Sequence, residues 1–469
     1  MLTLRYDPTT NTKKLATGYH DDGNNIIRRI DPHEVQAYRQ QLQLQQQEQK
    51  QHGQQITNNT NTNDKKNNDD NNILIPSSKN IENKLRQVIR TKIEQSKTNH
   101  IALALSAGVD SILTFCLIRK EFPDIDIDCL TVSFDEDDSS EVSAAREIAE
   151  SLNARFHEIH VDNILKDLPL HIRIVQEPRW NVYQHYFIEK ASTISNVLFT
   201  GDGGDELFAG YVFRYKKFLT NIKSDQYSSS SSSSSPPSSS WQDKAQIYLQ
   251  CHERDWVPDQ ANMFGANLKK KFSWSSIYLL LRKYFDNSLD PLEQVLLADY
   301  HGKLMYDFIP TNEKYFKHFN IDGVAPLLSP EIIDLSVRVP ANMKYDVVSN
   351  TGKIQLREII RRNYGNGSSS SSSSSAFQSQ LIDNKKVGFG VINLYKFWHR
   401  IAKDIVTSNL ENGIIFADKI ISREWYIKSL KRIEEHKDPR YIAKMLQLLS
   451  LEIWYKLFVK SEIGTTYQT

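Results

Sequence analysis

Cysteine is scarce in this chain, with three in 469 residues. Cys116, Cys129 and Cys251 make no CxxC pair and no even set, which excludes a disulfide framework and fits a reducing compartment. Neither sign of charge dominates. Against 57 Asp and Glu stand 58 Lys and Arg, a formal net charge of +1. No nucleic-acid partner and no membrane partner is expected from that balance. Long apolar runs are missing too; "SIYLLL" is far too short to span a bilayer. The start, "MLTLRYDPTT", has no basic stretch leading into an apolar core, so no secretory signal is read. A soluble cytoplasmic protein is the expectation. His157 and His160, in "RFHEIHV", have no cysteine or carboxylate spacing that makes a zinc site and read as strand residues.

What the chain has in excess is low complexity. Gln43 to Asn72 is nearly all Gln, Asn, Asp, Lys and Thr. Ser228 to Ser240 is serine around Pro236 and Pro237, and Ser368 to Ser375 is pure serine. Such stretches bury too little apolar surface to offset the entropy of ordering, so disorder is expected in all three. They divide the chain into a short N-terminal segment (1–40), a Gln/Asn linker (41–79) and one large domain (80–469). Within Met1 to Gln40, "LTLRYDP" and "KLATGYH" could pair as a small hairpin.

After the linker, Ile81, Leu85, Val88, Ile89 and Ile93 recur at helical spacing, one apolar face. Then strands and helices alternate. "HIALALS" reads as a strand buried on both faces, "SILTFCLIRK" as its helix, "IDIDCLTVSF" as the second strand and "EVSAAREIAESLN" as the second helix. "RFHEIHV" and "NVLFT" complete four strands. This alternation predicts an α/β fold, a doubly wound parallel sheet over 80–220, with ligands at the carboxyl ends of the strands. From Trp241 the pattern is helical, with no further clear strand, and a mostly helical second lobe (241–469) is expected.

Two loops carry chemistry. "LSAGVDS" follows the first strand and opens a helix, where backbone N–H groups and the helix dipole favour an anion. Ser106, Ala107, Gly108 and Val109 leave room for phosphate, and Ser111 adds a hydroxyl. Asp110 would repel phosphate unless a cation lies between, which points to Mg²⁺ and a polyphosphate. The alternative is an ordinary capped helix start. There is no GxxxxGK[ST], so this is no Walker loop. "FTGDGGDELFAGY" follows the fourth strand. Gly201 and Gly203 allow tight turns, and Asp205 would converge with Asp110 at the sheet edge to hold Mg²⁺. At the end of the second strand, Ser133 and Phe134 are placed to receive an adenine.

Together the loops resemble a known family. "LSAGVDS" resembles the SGGxDS loop of the ATP-pyrophosphatase (PP-loop) superfamily, and "GDGGDELFAGY" resembles the GDGxDELFGGY signature of the asparagine synthetase synthase domain. "GKIQLRE" resembles the family's GK-x-x-LR-E segment, "KKVGFGV" its K-x-GF-x-x-P segment and "VAPLLSPEIIDLSVRVP" its ARVPFLD stretch. The resemblance spans Lys79 to Val459. It implies ATP and Mg²⁺, adenylation of the aspartate β-carboxylate with release of pyrophosphate, and amidation by ammonia to give asparagine. It also implies roles: Ser106, Gly108, Asp110 and Ser111 on pyrophosphate and metal, Asp205 as second metal ligand, Asp202 near the acyl-acceptor site, and Lys353 and Lys386 as stabilisers of phosphate or intermediate.

The chain departs from the family in places. Residue 2 is Leu where the glutaminase nucleophile is a cysteine, and the nearest cysteine is Cys116. No glutaminase activity is expected, so ammonia would come from solution or from a separate glutaminase partner. Ala107 and Ala209 replace glycines of the two signatures. "TNEKYFKHFNIDGVAPLL" lacks the family's K-x-DR-x-S-M and ARVPF wording, and Asn384 and Asn393 stand where arginine and proline are common. Two other readings stay open: an amide or lactam former on another carboxylate, and a non-catalytic regulatory relative. Retention of Asp110, Ser111 and Asp205 speaks against the last.

Overall fold

A computed structural model describes residues 29–56, 75–135, 140–181, 183–228, 240–252, 256–364 and 393–460. Helix α1 (Pro32–Ile56) comes first, then α2 (Ser78–Ser96), whose start Ser77 and Asn80 cap reciprocally. Strand β1 (His100–Ala104) leads into α3 (Val109–Glu121), β2 (Asp126–Phe134) into α4 (Ser140–Ser151). Strand β3 (Arg155–Val161) is followed by α5 (Leu168–Val175) and α6 (Gln184–Ser192). Strand β4 (Val197–Phe199) opens onto the one-turn helix α7 (Gly204–Leu207). With a further strand β5 at Asp322–Val324, the order across the sheet is β3-β2-β1-β4-β5, every neighbour parallel.

Alternation along β1 explains both faces. Ile101 and Leu103 pack with Leu85 and Ile89 of α2 and with Ile112 and Phe115 of α3. Ala102, between them, faces the opposite core with Ile172 of α5, Ile188 of α6 and Leu446. All five apolar positions expected on α2 are buried. At the edge, β3 alternates, as a strand with one neighbour can. Its Arg155 and His157 reach Asp128 of β2, as does His100 of β1. Burial raises the Asp128 carboxyl, but those bonds outweigh it and hold it well below the usual range. His157 is therefore a sheet residue, as expected.

Two expectations need correction. A fifth strand exists: β5 (Asp322–Val324) pairs Val197↔Asp322 through Phe199↔Val324. Three residues around Gly323 are too few to show a period. The helical part otherwise packs onto the sheet, both cores mixing its residues with those of the strands. The glutamine run is helical as far as it is described, through Ile56. Glutamine is a good helix former, and α1 is anchored at its other end. There Val35 is buried, and Arg39 donates to both Glu293 oxygens (2.8 and 3.1 Å) and to the carbonyls of Val337, Arg338 and Val339. The proposed hairpin, the Ser368–Ser375 tract, Asn384 and Lys386 lie outside the described residues.

Candidate active site

The strand order reverses between β1 and β4, and a crevice at the carboxyl ends is expected at such a reversal. Both motif loops flank it. The β1 loop is tied to the sheet by Leu105 N–H to the Leu130 carbonyl (2.9 Å) and the Thr131 hydroxyl to the Leu105 carbonyl (2.7 Å). Ser106 and Ser111 place their Oγ atoms 3.0 Å apart, and the Gly108 N–H donates to Ser106 Oγ at 3.1 Å. Gly108 caps α3 with no side chain, so its first-turn N–H groups are left for an anion. Ala107 is half-buried and Val109 buried beneath that turn.

The β4 loop lies directly on the β1 loop. A Cβ on Gly201 would sit 2.6 Å from Ser111 N, and one on Gly204 would sit 2.2 Å from the Asp110 carboxylate. Only glycine permits that approach. Gly203 takes φ +95° at the turn into α7. The result is that Asp110 and Asp205 converge, as the sequence suggests. Lys353 binds both: its Nζ is 2.5 Å from Asp110 Oδ2 and 2.7 Å from Asp205 Oδ1. Lys353 is buried and holds φ +58°, with its N–H donating to the Phe208 carbonyl at 2.8 Å. Strain at such a position persists only where the surroundings impose it. Here Gly352 lies so close to Ala209 that a Cβ would be 1.9 Å from its carbonyl oxygen.

Asp110 Oδ1 is buried and has no hydrogen-bond partner. An anionic oxygen left this way beside a second carboxylate suits a cation. Among the described residues no group of three or more His, Cys, Asp or Glu side chains is arranged to hold a metal ion by itself. Mg²⁺ held by Asp110 and Asp205 would therefore complete its shell from phosphate oxygens and water, as Mg²⁺ commonly does.

Asp202 sits apart from the pair. Its Oδ2 accepts from Thr200 Oγ1 (2.9 Å) and from Asn312 Nδ2 (3.1 Å). Burial raises its carboxyl above the usual range, the Asp110 charge adds to this, and the Thr200 and Asn312 bonds oppose it. Asn312 lies in the stretch "TNEKYFKHFNIDGVAPLL" that departs from the family's wording, but nothing in the sequence singles it out there. It belongs to the helix Ile309–Phe319, which follows a π-helical stretch, Tyr300–Phe308, of the kind often found at functional sites. Asp110, Asp205 and Lys353 are thus brought together from three stretches, with Asp202 beside them on the same loop as Asp205. Ser133 and Phe134 are not part of this cluster. Both are buried, and the Ser133 hydroxyl donates to Glu158 of β3 at 2.8 Å, so only their backbone is left to meet a base. Cys116 lies in the core, and burial pushes its thiol up to about 12, unlike a nucleophile.

A family model described as asparagine synthase matches residues 80–456. Putative glutamine-hydrolysing asparagine synthetases of Mycobacterium bovis and Mycobacterium tuberculosis are 22% identical over 403 residues, covering 80% of this chain and 58% of theirs. Asparagine synthetase 1 of Bacillus subtilis, also glutamine-hydrolysing, is 23% identical over 301 residues, 59% of this chain and 47% of its own. The chain thus spans about half the length of these relatives. An NH3-dependent NAD synthetase of Campylobacter jejuni, solved with nitrate, shares 17% identity at a TM-score of 0.26, over 49% of this chain and 96% of its own.

Proposed function

Because the chain belongs to the asparagine synthase family, we propose that it is an ATP-dependent amide-forming ligase that converts aspartate to asparagine with ammonia. The observation that carries this is Lys353 bridging Asp110 and Asp205 at the strand-order reversal. The first-turn N–H groups of α3 and the Ser106 and Ser111 hydroxyls would cradle the β- and γ-phosphates. Mg²⁺, held by Asp110 and Asp205, would neutralise charge on the leaving pyrophosphate. Lys353 keeps the two carboxylates together before substrate arrives, and its ammonium lies within reach of the phosphates afterwards.

The aspartate β-carboxylate attacks the α-phosphorus, and the bond to the pyrophosphate oxygen breaks. Ammonia then attacks the acyl carbon of the aspartyl adenylate. AMP leaves, and one proton is lost from nitrogen. Asp202, with its raised affinity for protons, is suited to receive that proton. Ammonia is the nitrogen donor in this reading. Lys386 would add a second cation.

The test is pyrophosphate release by the purified protein with ATP, Mg²⁺ and aspartate, given either ammonium or glutamine. Release with ammonium alone, together with asparagine and AMP and lost in Asp110→Ala, is the expected result. Release with glutamine would overturn the ammonia source. Silence with aspartate while ATP still binds would favour another carboxylate. Loss of ATP binding as well would leave a non-catalytic relative.

A further inference from the structure

Asn312 holds an unmet hydrogen-bond acceptor. Its Nδ2 is committed to Asp202, but its Oδ1 is buried with no partner, and the residue is only 6% exposed. Buried polar atoms are nearly always satisfied, so an exception at a ligand site points to a group that the ligand supplies. The orientation of the amide follows from its neighbour, since a carboxylate accepts and must face the NH₂. Oδ1, on the same planar amide, then lies a few ångströms from Asp202, and both offer lone pairs and no proton.

The surroundings hold this arrangement in place. One residue earlier, Thr311 Oγ1 accepts from Arg179 Nη1 at 2.7 Å and donates to the Asp307 carbonyl at 2.7 Å. Thr200 fixes Asp202 from the other side. The Asn312 amide is therefore not turned away by a loose helix.

We propose that Asn312 Oδ1 and the Asp202 carboxylate form a recess for a protonated amine. A cationic NH₃⁺ group supplies several donors and the charge, and a neutral carbonyl or a second anion supplies neither. Two sources share that chemistry: the α-ammonium of an amino-acid substrate, and ammonium itself. The proposal builds on the reading of this cleft as an amide-forming site, but its first test needs no turnover.

That test is ligand-detected NMR of the full chain with ATP analogue and Mg²⁺, titrated with aspartate, with succinate (which lacks the amine) and with ¹⁵N-ammonium. Recognition of the substrate amine predicts that aspartate binds about tenfold or more tighter than succinate, the loss expected when a buried polar group is left unpaired. Asn312→Leu should cut that preference several-fold, weakening aspartate more than succinate. If ammonium is the occupant, aspartate and succinate bind alike, and ammonium binding is lost in Asn312→Leu. Equal binding of the two acids, with no ammonium binding by the natural chain, would overturn the recess, and that comparison uses no variant. Amine binding without pyrophosphate release would instead reject the ligase reading and keep the recess.

Discussion

Lys353 is the residue on which the two acidic loops depend. Replacing it by Met would leave Asp110 and Asp205 facing each other, both largely buried. Breaking a buried pair in this way costs about 3–5 kcal/mol. Lys353→Met should therefore melt lower than the natural chain, and millimolar Mg²⁺ should restore part of the loss, as calorimetry would show. An equal Mg²⁺ response in both proteins would count against a metal position between the carboxylates. A different cost sits at Ala209, which holds φ +62° where the family signature has glycine. The left-handed region costs a residue with a Cβ about 1–2 kcal/mol. Ala209→Gly should thus raise stability, by about 1 kcal/mol or less once the freer unfolded chain is counted. A lowered denaturation midpoint would show that this turn is not under strain.

At the scale of elements, the site is a contact between two loops. Gly201→Ala would drive a methyl into the backbone of Ser111, and the neighbour here is main chain and cannot swing aside. Pyrophosphate release should fall about a hundredfold or more, the cost of misplacing reacting groups by an ångström. Circular dichroism should change little, because the sheet lies beneath the contact. Unimpaired release would mean that the loops separate during the reaction. These loops were legible beforehand because each follows a buried strand of β-branched and apolar residues and is built of glycine and aspartate. The convergence of Asp110 with Asp205 followed from parallel topology alone. Three things were not legible. β5 is three residues long and owes its strand form to β4. Asn312 is an unremarkable helix residue until the fold sets it against Asp202. The side chain of Ser133 is occupied by Glu158, the diagonal neighbour two residues from its register partner His160, which only the strand pairing reveals.

At the scale of the whole molecule, the N-terminal helix closes over the back of the site. Ile30 and Val35 line one small cavity with Glu206 and Leu207, next in sequence to Asp205, and with Glu293 and Lys344. Burial brings the Lys344 ammonium down to about 7, Glu293 opposes this, and Arg39 adds to it. The ordinary lysine value is 10.5, so between those limits the unfolded chain binds a proton that the folded chain does not. Stability should rise with pH across that window, and the full cost of a buried charge applies below it. Lys344→Met should be the more stable protein below pH 7, by about 1–4 kcal/mol. Its advantage should shrink as pH approaches 10. Denaturation curves at pH 6, 8 and 9.5 would check this, and a constant gap would show that Lys344 keeps its proton throughout.

The span between Asp110 and Lys353 is 243 residues. On the ribosome, the β1 and β4 loops and both carboxylates emerge long before the cation that joins them. β5, which completes the sheet beside β4, also arrives late, at residues 322–324. A nascent chain has both carboxylates and no lysine to join them until its last third is made. A messenger truncated before codon 353 would encode a nucleotide fold whose two acidic loops lack the side chain that bridges them.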